Sequence, residues 1–514
     1  DGQWQREKPG VQQSVLSIGY APNRQAPAAV RNQPVFRSAG TGVDFRHQEP
    51  ANNDFKIQPL MPSMISYRGP AMASADINGD GQPELFIGGA ANQPAALLTL
   101  VQGRWAATQQ PALQADAAFE DVDARFFDAD ADGDMDLLVG SGGFSFPAGD
   151  SLYAPRLYKN VNGRLVRDAS ALPALSVSVG SLLVADLNSD GAPDILLGAR
   201  VQPWHYPQAD SSVVLLNNGK GQFSVQQRWM AGLVCHLQAA DLDADGQTEI
   251  LVAAEWSSLQ VYQYRQGQMN NVSDRYFDRQ LTGWWNRVLP ADMDADGDVD
   301  VLSLNWGMNS QLQPNDSLPI ELYYADFDEN GSVDPLLCYP IQGKNYPMAS
   351  RDEMTDQIVS LRQRFPTYDA YSEAQINSVL SAAQLQKATR LTATTLQTGW
   401  WRNDNGRFSW VPLPAEAQVA PMYAAAVADF NGDGMTDVLL GGNVEHARIK
   451  LGKIDASFGT LLLGKGKGEF AAATPMAAGL SINGCIRQFE VMSVKGRRLL
   501  IAAINNALPQ VYEY

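Results

Sequence analysis

VADLNSDGAPDILLGA, residues 184–199, places a nine-residue acidic loop, Asp186 to Asp194, between a run of small apolar residues and a run of isoleucine and leucine. Short apolar runs bounded by Asp, Asn and Gly read as strands joined by a turn. The loop has the form Asp-x-[Asp/Asn]-x-[Asp/Asn]-Gly-x-x-[Asp/Glu], and it recurs. Copies begin at Asp76 (DINGDGQPE), Asp128 (DADADGDMD), Asp186 (DLNSDGAPD), Asp241 (DLDADGQTE), Asp292 (DMDADGDVD), Asp326 (DFDENGSVD) and Asp429 (DFNGDGMTD).

Working outward, the first four steps between copies are 52, 58, 55 and 51 residues, the size of a four-stranded unit. Most units carry a second hairpin with Gly at its turn, as in LYKNVNGRLV (157–166), VVLLNNGKGQFSV (213–225), WWRNDNGRFSW (400–410) and LLLGKGKGEF (461–470). Two hairpins per repeat make a four-stranded blade, so the expected fold is an all-β propeller. The C-terminal FEVMSVKGRRLLIAAINNALPQVYEY (489–514) keeps the strand rhythm without the acids and reads as a last blade. Residues 34–47 alternate like a lone strand and are expected to close the ring, which would remove the exposed sheet edges.

Two irregularities limit the count. Copies five and six are only 34 residues apart, and ELYYADFDENGSVDPLLCYP (321–340) fits the outer hairpin of the fifth unit as well as a new inner pair. Seven blades are expected, with eight as the alternative. Copies six and seven are separated by 103 residues, within which Met354, Ile358, Leu361, Phe365, Ile376, Leu380 and Ala383 have helical apolar spacing. A helical insertion is expected over 345–391, inside a propeller over 34–514 that follows an N-terminal extension, 1–33.

Calcium takes six to eight hard oxygen ligands, and a loop with carboxylates or amides at positions 1, 3, 5 and 9 plus a carbonyl at 7 supplies most of that shell. The candidate metal ligands are Asp76, Asn78, Asp80 and Glu84 in loop one, and Asp128, Asp130, Asp132 and Asp136 in loop two. Loop three offers Asp186, Asn188, Asp190 and Asp194; loop four, Asp241, Asp243, Asp245 and Glu249; loop five, Asp292, Asp294, Asp296 and Asp300. Loop six offers Asp326, Asp328, Asn330 and Asp334, and loop seven Asp429, Asn431, Asp433 and Asp437. Asp-Asn-Gly clusters are ordinary turn formers, but seven copies in register, each with an acid at position 9, exceed what turn chemistry requires. An EF-hand needs an acid at position 12, where this chain has Ile87, Val139, Leu197 and Leu440. Packed without metal, the 24 loop carboxylates would repel one another; seven divalent ions would bring the formal charge from −18 to −4. Several structural Ca²⁺ ions are expected, filled at extracellular calcium levels.

The loops resemble FG-GAP or VCBS repeats, the unit of the integrin α-subunit propeller and of many secreted bacterial proteins. VDFRH (43–47), GPAMASADINGDG (69–81), ELYYADFDENGSVDP (321–335), YPMASRDE (346–353) and LPAEAQVAP (413–421) are similar to large VCBS-repeat proteins on the surface of gram-negative bacteria. The resemblance implies a calcium propeller at the outer cell surface or secreted, a fragment or a short relative of those proteins, with outer-membrane nutrient-uptake proteins as partners. It implies no particular ligand.

Composition narrows the rest. The net charge of −18 with no basic cluster argues against nucleic acid as a partner, and no apolar run reaches the ~18 residues of a membrane span. Cys235, Cys338 and Cys485 are three, far apart and without CxxC spacing, so three separate thiols are expected. No HExxH, GxSxG or phosphate loop is present, and His47, His205, His236 and His446 are scattered. A binding or scaffold module for glycan or protein ligands is therefore favoured over the alternative, a calcium-dependent polysaccharide lyase or glycan hydrolase, whose best support is Trp204-His205-Tyr206 with Arg200. A ligand site is expected on the face opposite the acidic loops, built from Arg200, Trp256, Trp284, Trp285, Arg287 and Trp306, because aromatic rings beside planar donors suit sugars.

Overall fold

Second strands of the repeats such as Asp136–Ser141, Asp194–Ala199 and Asp437–Gly442 are buried at every position. A strand packed on both faces needs a continuous apolar run, and LLVG, ILLG and VLLG supply it. The outermost strands bear on one neighbour only: in Phe223–Trp229 the two aromatic ends are buried while Ser224, Val225 and Gln226 are exposed. In the computed structural model, which describes residues 33–40 and 42–514, these strands form eight antiparallel sheets, seven of four strands and one in which the short Gly283–Trp284 adds a fifth. The extension expected over 1–33 lies outside the described residues save its last.

Seven of the sheets form a ring, with the first strand of each beside the first strand of the next. These innermost strands are Met72–Ala75, Asp121–Phe127, Val179–Ala185, Leu233–Ala240, Arg287–Ala291, Met422–Ala428 and Ile486–Val494. The ring closes by exchange between the chain ends: Arg37–Ser38 pairs with Gln510–Glu513 as the fourth strand of blade seven. The Gln488 amide then clips Met72 of blade one, accepting from its N–H at 3.1 Å and donating to its carbonyl at 2.7 Å.

The eighth sheet corrects the reading of the sixth loop. That loop joins Ile320–Ala325 to Asp334–Ile341, which belong neither to the ring nor to the outer hairpin of blade five. With Lys344–Pro347 and Thr389–Ala393 they make a separate sheet inserted between the second and third strands of blade five, Asp300–Leu304 and Gly399–Asn403. The insertion therefore starts well before residue 345, and Thr389–Ala393 at its far end is a strand. Its helical half comprises Arg351–Gln357, Leu361–Arg364, Tyr368–Ser372, Ile376–Val379 and Ala382–Lys387, the first and last opened by capping boxes, Ser350 with Glu353 and Ser381 with Gln384. Met354, Ile358, Leu361, Phe365, Ile376 and Leu380 bury against Leu336 and Cys338. Ala383 is exposed, because the helices are too short for one stripe to run through them all.

The inserted sheet lies over one end of the ring. Ile320, Leu322, Leu337, Met348 and Ala393 share a core with Met61, Tyr206, Trp306 and Val444 from loops and with Trp256 and Trp284 from strand ends of the ring. The covered end is the one opposite the ring's acidic loops.

Blade-to-blade contact depends on one recurring small residue. Position 13, counted from the first aspartate, is glycine in loops one, two, three and seven, and a Cβ on Gly198 would stand 2.6 Å from Val234 Cγ1 of the next blade. Gly140 and Gly441 meet Val179 and Phe489 in the same way. Gly198→Ala should therefore destabilise the ring by about 1–3 kcal/mol through overpacking, read as a lower denaturation midpoint with native strand content retained.

Candidate metal centres

The aspartate at position 1 folds each loop on itself. Asp186 Oδ1 accepts from the N–H of Asp190 at 3.1 Å and Oδ2 from that of Gly191 at 3.0 Å. The same two bonds recur at Asp76, Asp128, Asp241, Asp326 and Asp429, while Asp292 takes Ala295 in place of position 5. Position 5 accepts from the N–H of position 7, as Asp190 does from Ala192 at 2.8 Å. Two residues per loop have positive φ, 60° at Ser189 and 88° at Gly191 in loop three, so the turn demands position 4 as well as position 6.

Position 9 is the anchor. All seven acids there are buried, none more than 2% exposed. In each, one carboxylate oxygen accepts from the backbone N–H of position 2, drawing the loop closed. In three blades the other oxygen accepts from an asparagine at the end of the third strand: Asp136 from Asn160, Asp194 from Asn217 and Asp300 from Asn403, at 2.7–2.8 Å. Those asparagines then reach a different blade. Asn160 Nδ2 donates to the Ile77 carbonyl at 2.7 Å, Asn217 to Ala129 at 2.8 Å and Asn403 to Leu242 at 2.9 Å, each the position-2 carbonyl of the preceding acidic loop.

The acidic loops are thus joints between blades, and the turns that follow these asparagines pack on them: Gly163, Gly221 and Gly406 lie against Asn78, Asp130 and Asp243. Sequence reading passed over the asparagines. Their signal was available, a strand-final Asn shortly before Gly in NVNG, NNGKG and NDNG, but it reads equally as ordinary hairpin chemistry.

Burial raises the pKa of six of these anchors: it pushes Asp136 and Asp334 up to about 6 and Asp300 up to about 7, and raises Glu84, Asp194 and Asp437, against the lowering effect of the N–H groups they accept from.

Four loops gather carboxylate oxygens within 4.8 Å of one another: Asp128, Asp130 and Asp136; Asp241, Asp243 and Glu249; Asp292, Asp294 and Asp300; Asp326, Asp328 and Asp334. These groups can hold a metal ion. In three of them a position-3 oxygen, Oδ1 of Asp130, Asp243 or Asp294, is buried with no hydrogen-bond partner. A buried carboxylate oxygen without a donor is costly, and a cation supplies what is missing. Asp132, Asp245, Asp296 and Asn330 at position 5 are exposed and fall outside the clusters.

Loops one, three and seven differ. Their Asn78, Asn188 and Asn431 accept from the position-5 N–H and donate to Glu84, Asp190 and Asp433, so each amide is satisfied within its loop.

The aromatic ligand site expected on the opposite face is corrected. Trp256, Trp284, Trp285 and Trp306 are exposed by 6, 3, 0 and 4%. Trp284 stands edge-on to both Trp256 and Trp306, with 5.0 Å between ring centroids in each pair, under the inserted sheet. Trp285 packs in a separate core with Trp401 and Phe277. Trp256, Trp284 and Trp306 are packing residues because the insertion covers the face that a bare ring would expose, and Trp285 is buried among residues of the blades themselves. Tyr206 is also buried, its hydroxyl accepting from the Trp256 indole at 2.8 Å, while His205 sits in a turn with Nδ1 3.0 Å from the Pro203 carbonyl. Arg200 and Arg287 line a cavity on the ring axis. Cys235, Cys338 and Cys485 are free thiols, and among the described residues no helix is long and apolar enough to cross a membrane.

The model of the FG-GAP-like repeat matches residues 76–139 and 241–303. No curated protein matches the chain. Among solved structures the chain is similar to "Crystal structure of BBS1N in complex with ARL6DN, soaked with lead", at 10% identity over 94% of this chain and 98% of that one, with a TM-score of 0.42. A mercury-soaked crystal of the same complex gives 11% identity, the same coverage and the same TM-score.

Asn217→Ala would leave the buried Ala129 carbonyl without its donor. It should cost about 1–3 kcal/mol, measured by denaturation, with the protection of amides against hydrogen exchange falling first in loops two and three.

Proposed function

This chain carries FG-GAP-like repeats in a β-propeller, and we propose that it is a calcium-stabilised binding or scaffold module, presented at a cell's outer surface or secreted, for glycan or protein ligands. The observation that carries the metal part is the trio of buried, unpartnered position-3 oxygens at Asp130, Asp243 and Asp294, each beside the acids of positions 1 and 9. An all-oxygen donor set of carboxylates suits a hard divalent cation, and irregular loops suit calcium better than the octahedral demands of magnesium. With an ion bound, the acids of positions 1, 3 and 9 would hold it, and it would supply the positive charge that these carboxylates lack.

Competition from protein cations grades the sites. Asp130 already meets Lys159 Nζ at 2.9 Å and Asp243 meets Arg275 at 2.5 Å, whereas Asp294 has no basic partner within 4.0 Å among the described residues. Loop five is therefore the strongest site. The asparagine-bearing loops one, three and seven bind more weakly, since each has one carboxylate fewer.

The same chemistry supports an extracellular location. Extracellular calcium modules work at roughly 10⁻⁴–10⁻³ M calcium, levels that the cytosol does not offer. Outer-membrane uptake proteins are the partners this reading assigns, supported by the likeness of segments such as 321–335 and 413–421 to bacterial surface proteins; co-purification from native membranes tests it. The binding role rests on the propeller architecture, and a glycan array of the calcium-loaded protein tests for sugars.

Calcium should raise the melting temperature, by ~2.7 kcal/mol of stability per site at one hundred times the dissociation constant. Asp294→Ala should remove one equivalent of bound calcium, counted by elemental analysis after desalting, and leave the remaining equivalents in place. Identical melts in excess chelator and in millimolar calcium would overturn the proposal.

A further inference from the structure

At the end of the ring opposite the acidic loops, the innermost strands begin around a cavity of about 80 Å³ on the axis. One water needs ~10–15 Å³ on such a measure, so there is room for several waters or a small ion. Its lining is unlike the rest of this acidic molecule. Arg68, Arg200, Arg287 and Arg487 reach it from four different parts of the chain, with Tyr423 among them.

The counter-charge is insufficient. Arg200 and Arg68 share the single carboxylate of Glu255, Arg200 in close contact and Arg68 at 3.4 Å. Asp123, also on the wall, is taken by Arg125 at 2.5 Å and by the Ser181 hydroxyl and the Leu182 N–H. Glu490, deeper on the axis, accepts from the Ser74 hydroxyl and is raised in pKa by burial. Arg287 and Arg487 have no carboxylate within 4.0 Å among the described residues; Arg487 donates only to the Asn443 carbonyl and lies 4.5 Å from the Tyr423 ring centroid, with Arg68 at 5.5 Å from the same ring. Arg200, itself 3% exposed, leaves Nη1 buried without a partner, as do Arg68 and Arg487 at Nε. Burial and the like charge of Arg125 bring Arg287 down to about 10, against the attraction of Asp123 and Glu490.

We propose that this axial cavity is a binding site for a small oxyanion, a phosphate, sulfate or carboxylate group, held by Arg287 and Arg487 with the free N–H groups of Arg68 and Arg200. Guanidinium groups match the planar edge of such anions with paired hydrogen bonds, and a desolvated site strengthens each of them. The inserted sheet that buries Trp256 and Trp284 packs at the same end of the ring, its core including Ile65 of the cavity wall. The site is independent of metal in the acidic loops, which lie at the other end, so it goes beyond the scaffold reading.

The test uses the full chain in millimolar calcium, equilibrated separately with sodium phosphate, sodium sulfate and sodium acetate at constant ionic strength. Binding is followed by calorimetry and by the shift in melting temperature. Saturable binding at one anion per chain is expected, and the three arms show whether the site prefers a tetrahedral oxyanion or a carboxylate. Arg287→Gln and Arg487→Gln should each weaken binding about tenfold or more, while the calcium-dependent rise in melting temperature stays as in the parent. Arg287→Lys, which keeps the charge and loses the paired donors, should weaken it less. Arg279→Gln, on the surface beside Asp316, should change nothing. Absence of both heat and thermal shift with all three anions would refute the site, as would binding that survives Arg287→Gln and Arg487→Gln unchanged. Loss of the calcium effect with anion binding intact would instead count against the metal proposal alone.

Discussion

A buried carboxylate at the ninth position of each acidic loop is the constraint from which the ring is assembled. It closes its own loop through one oxygen and, in blades two, three and five, holds through the other an asparagine that reaches the loop of the preceding blade. A charge so deeply buried is tolerated only with donors on both oxygens; the backbone supplies both at Asp136, Asp194, Asp300 and Asp437, and at Asp334 the second is the Gln357 amide. The longer Glu84 and Glu249 place the carboxylate further out, and side-chain donors, Asn78 and Gln263, meet them there instead. The acids of positions 1 and 3, which with the anchor could hold a metal ion in four loops, sit directly on this joint.

The two ends of the ring are electrostatic opposites. At one end carboxylates crowd into loops short of positive charge; at the other, guanidinium groups crowd onto the axis short of negative charge. Both are regions where the fold holds like charges together, and such concentrations persist because neighbouring packing fixes them. At the acidic end the packing is glycine-led, with turns laid on the loops. At the basic end it is the inserted sheet, anchored by Glu353 to Arg448 and Lys450 of blade six.

That insertion also explains which functional expectations changed. Tryptophans beside arginines in the loops of one face do suggest a sugar platform, and a bare ring would expose them. Here Ile320, Leu322 and Leu337 need an apolar partner, and the indoles of Trp256, Trp284 and Trp306 provide it. Arg200 and Arg287, read from the same loops, are brought together with Arg68 and Arg487 only because the innermost strands of the ring begin around one axis.

The sequence by itself determined the repeat, the strand pairs around each acidic loop, the acids at positions 1, 3 and 9, and the apolar face of the inserted helices as far as Leu380. These are local: a loop of nine residues fixes its own geometry through bonds spanning at most seven positions, and periodicity reports which side of an element is buried. Tertiary structure decided that the sixth loop belongs to a sheet outside the ring, that three asparagines serve the neighbouring blade, that four tryptophans are covered and that four arginines converge. Each of those depends on contacts between residues dozens to hundreds of positions apart, as between Asn505 and Gly69 or between Gln488 and Met72. Local pattern carries no information about which distant surface will arrive, because hydrophobic burial rewards any apolar partner of the right shape and only closure of the ring selects one.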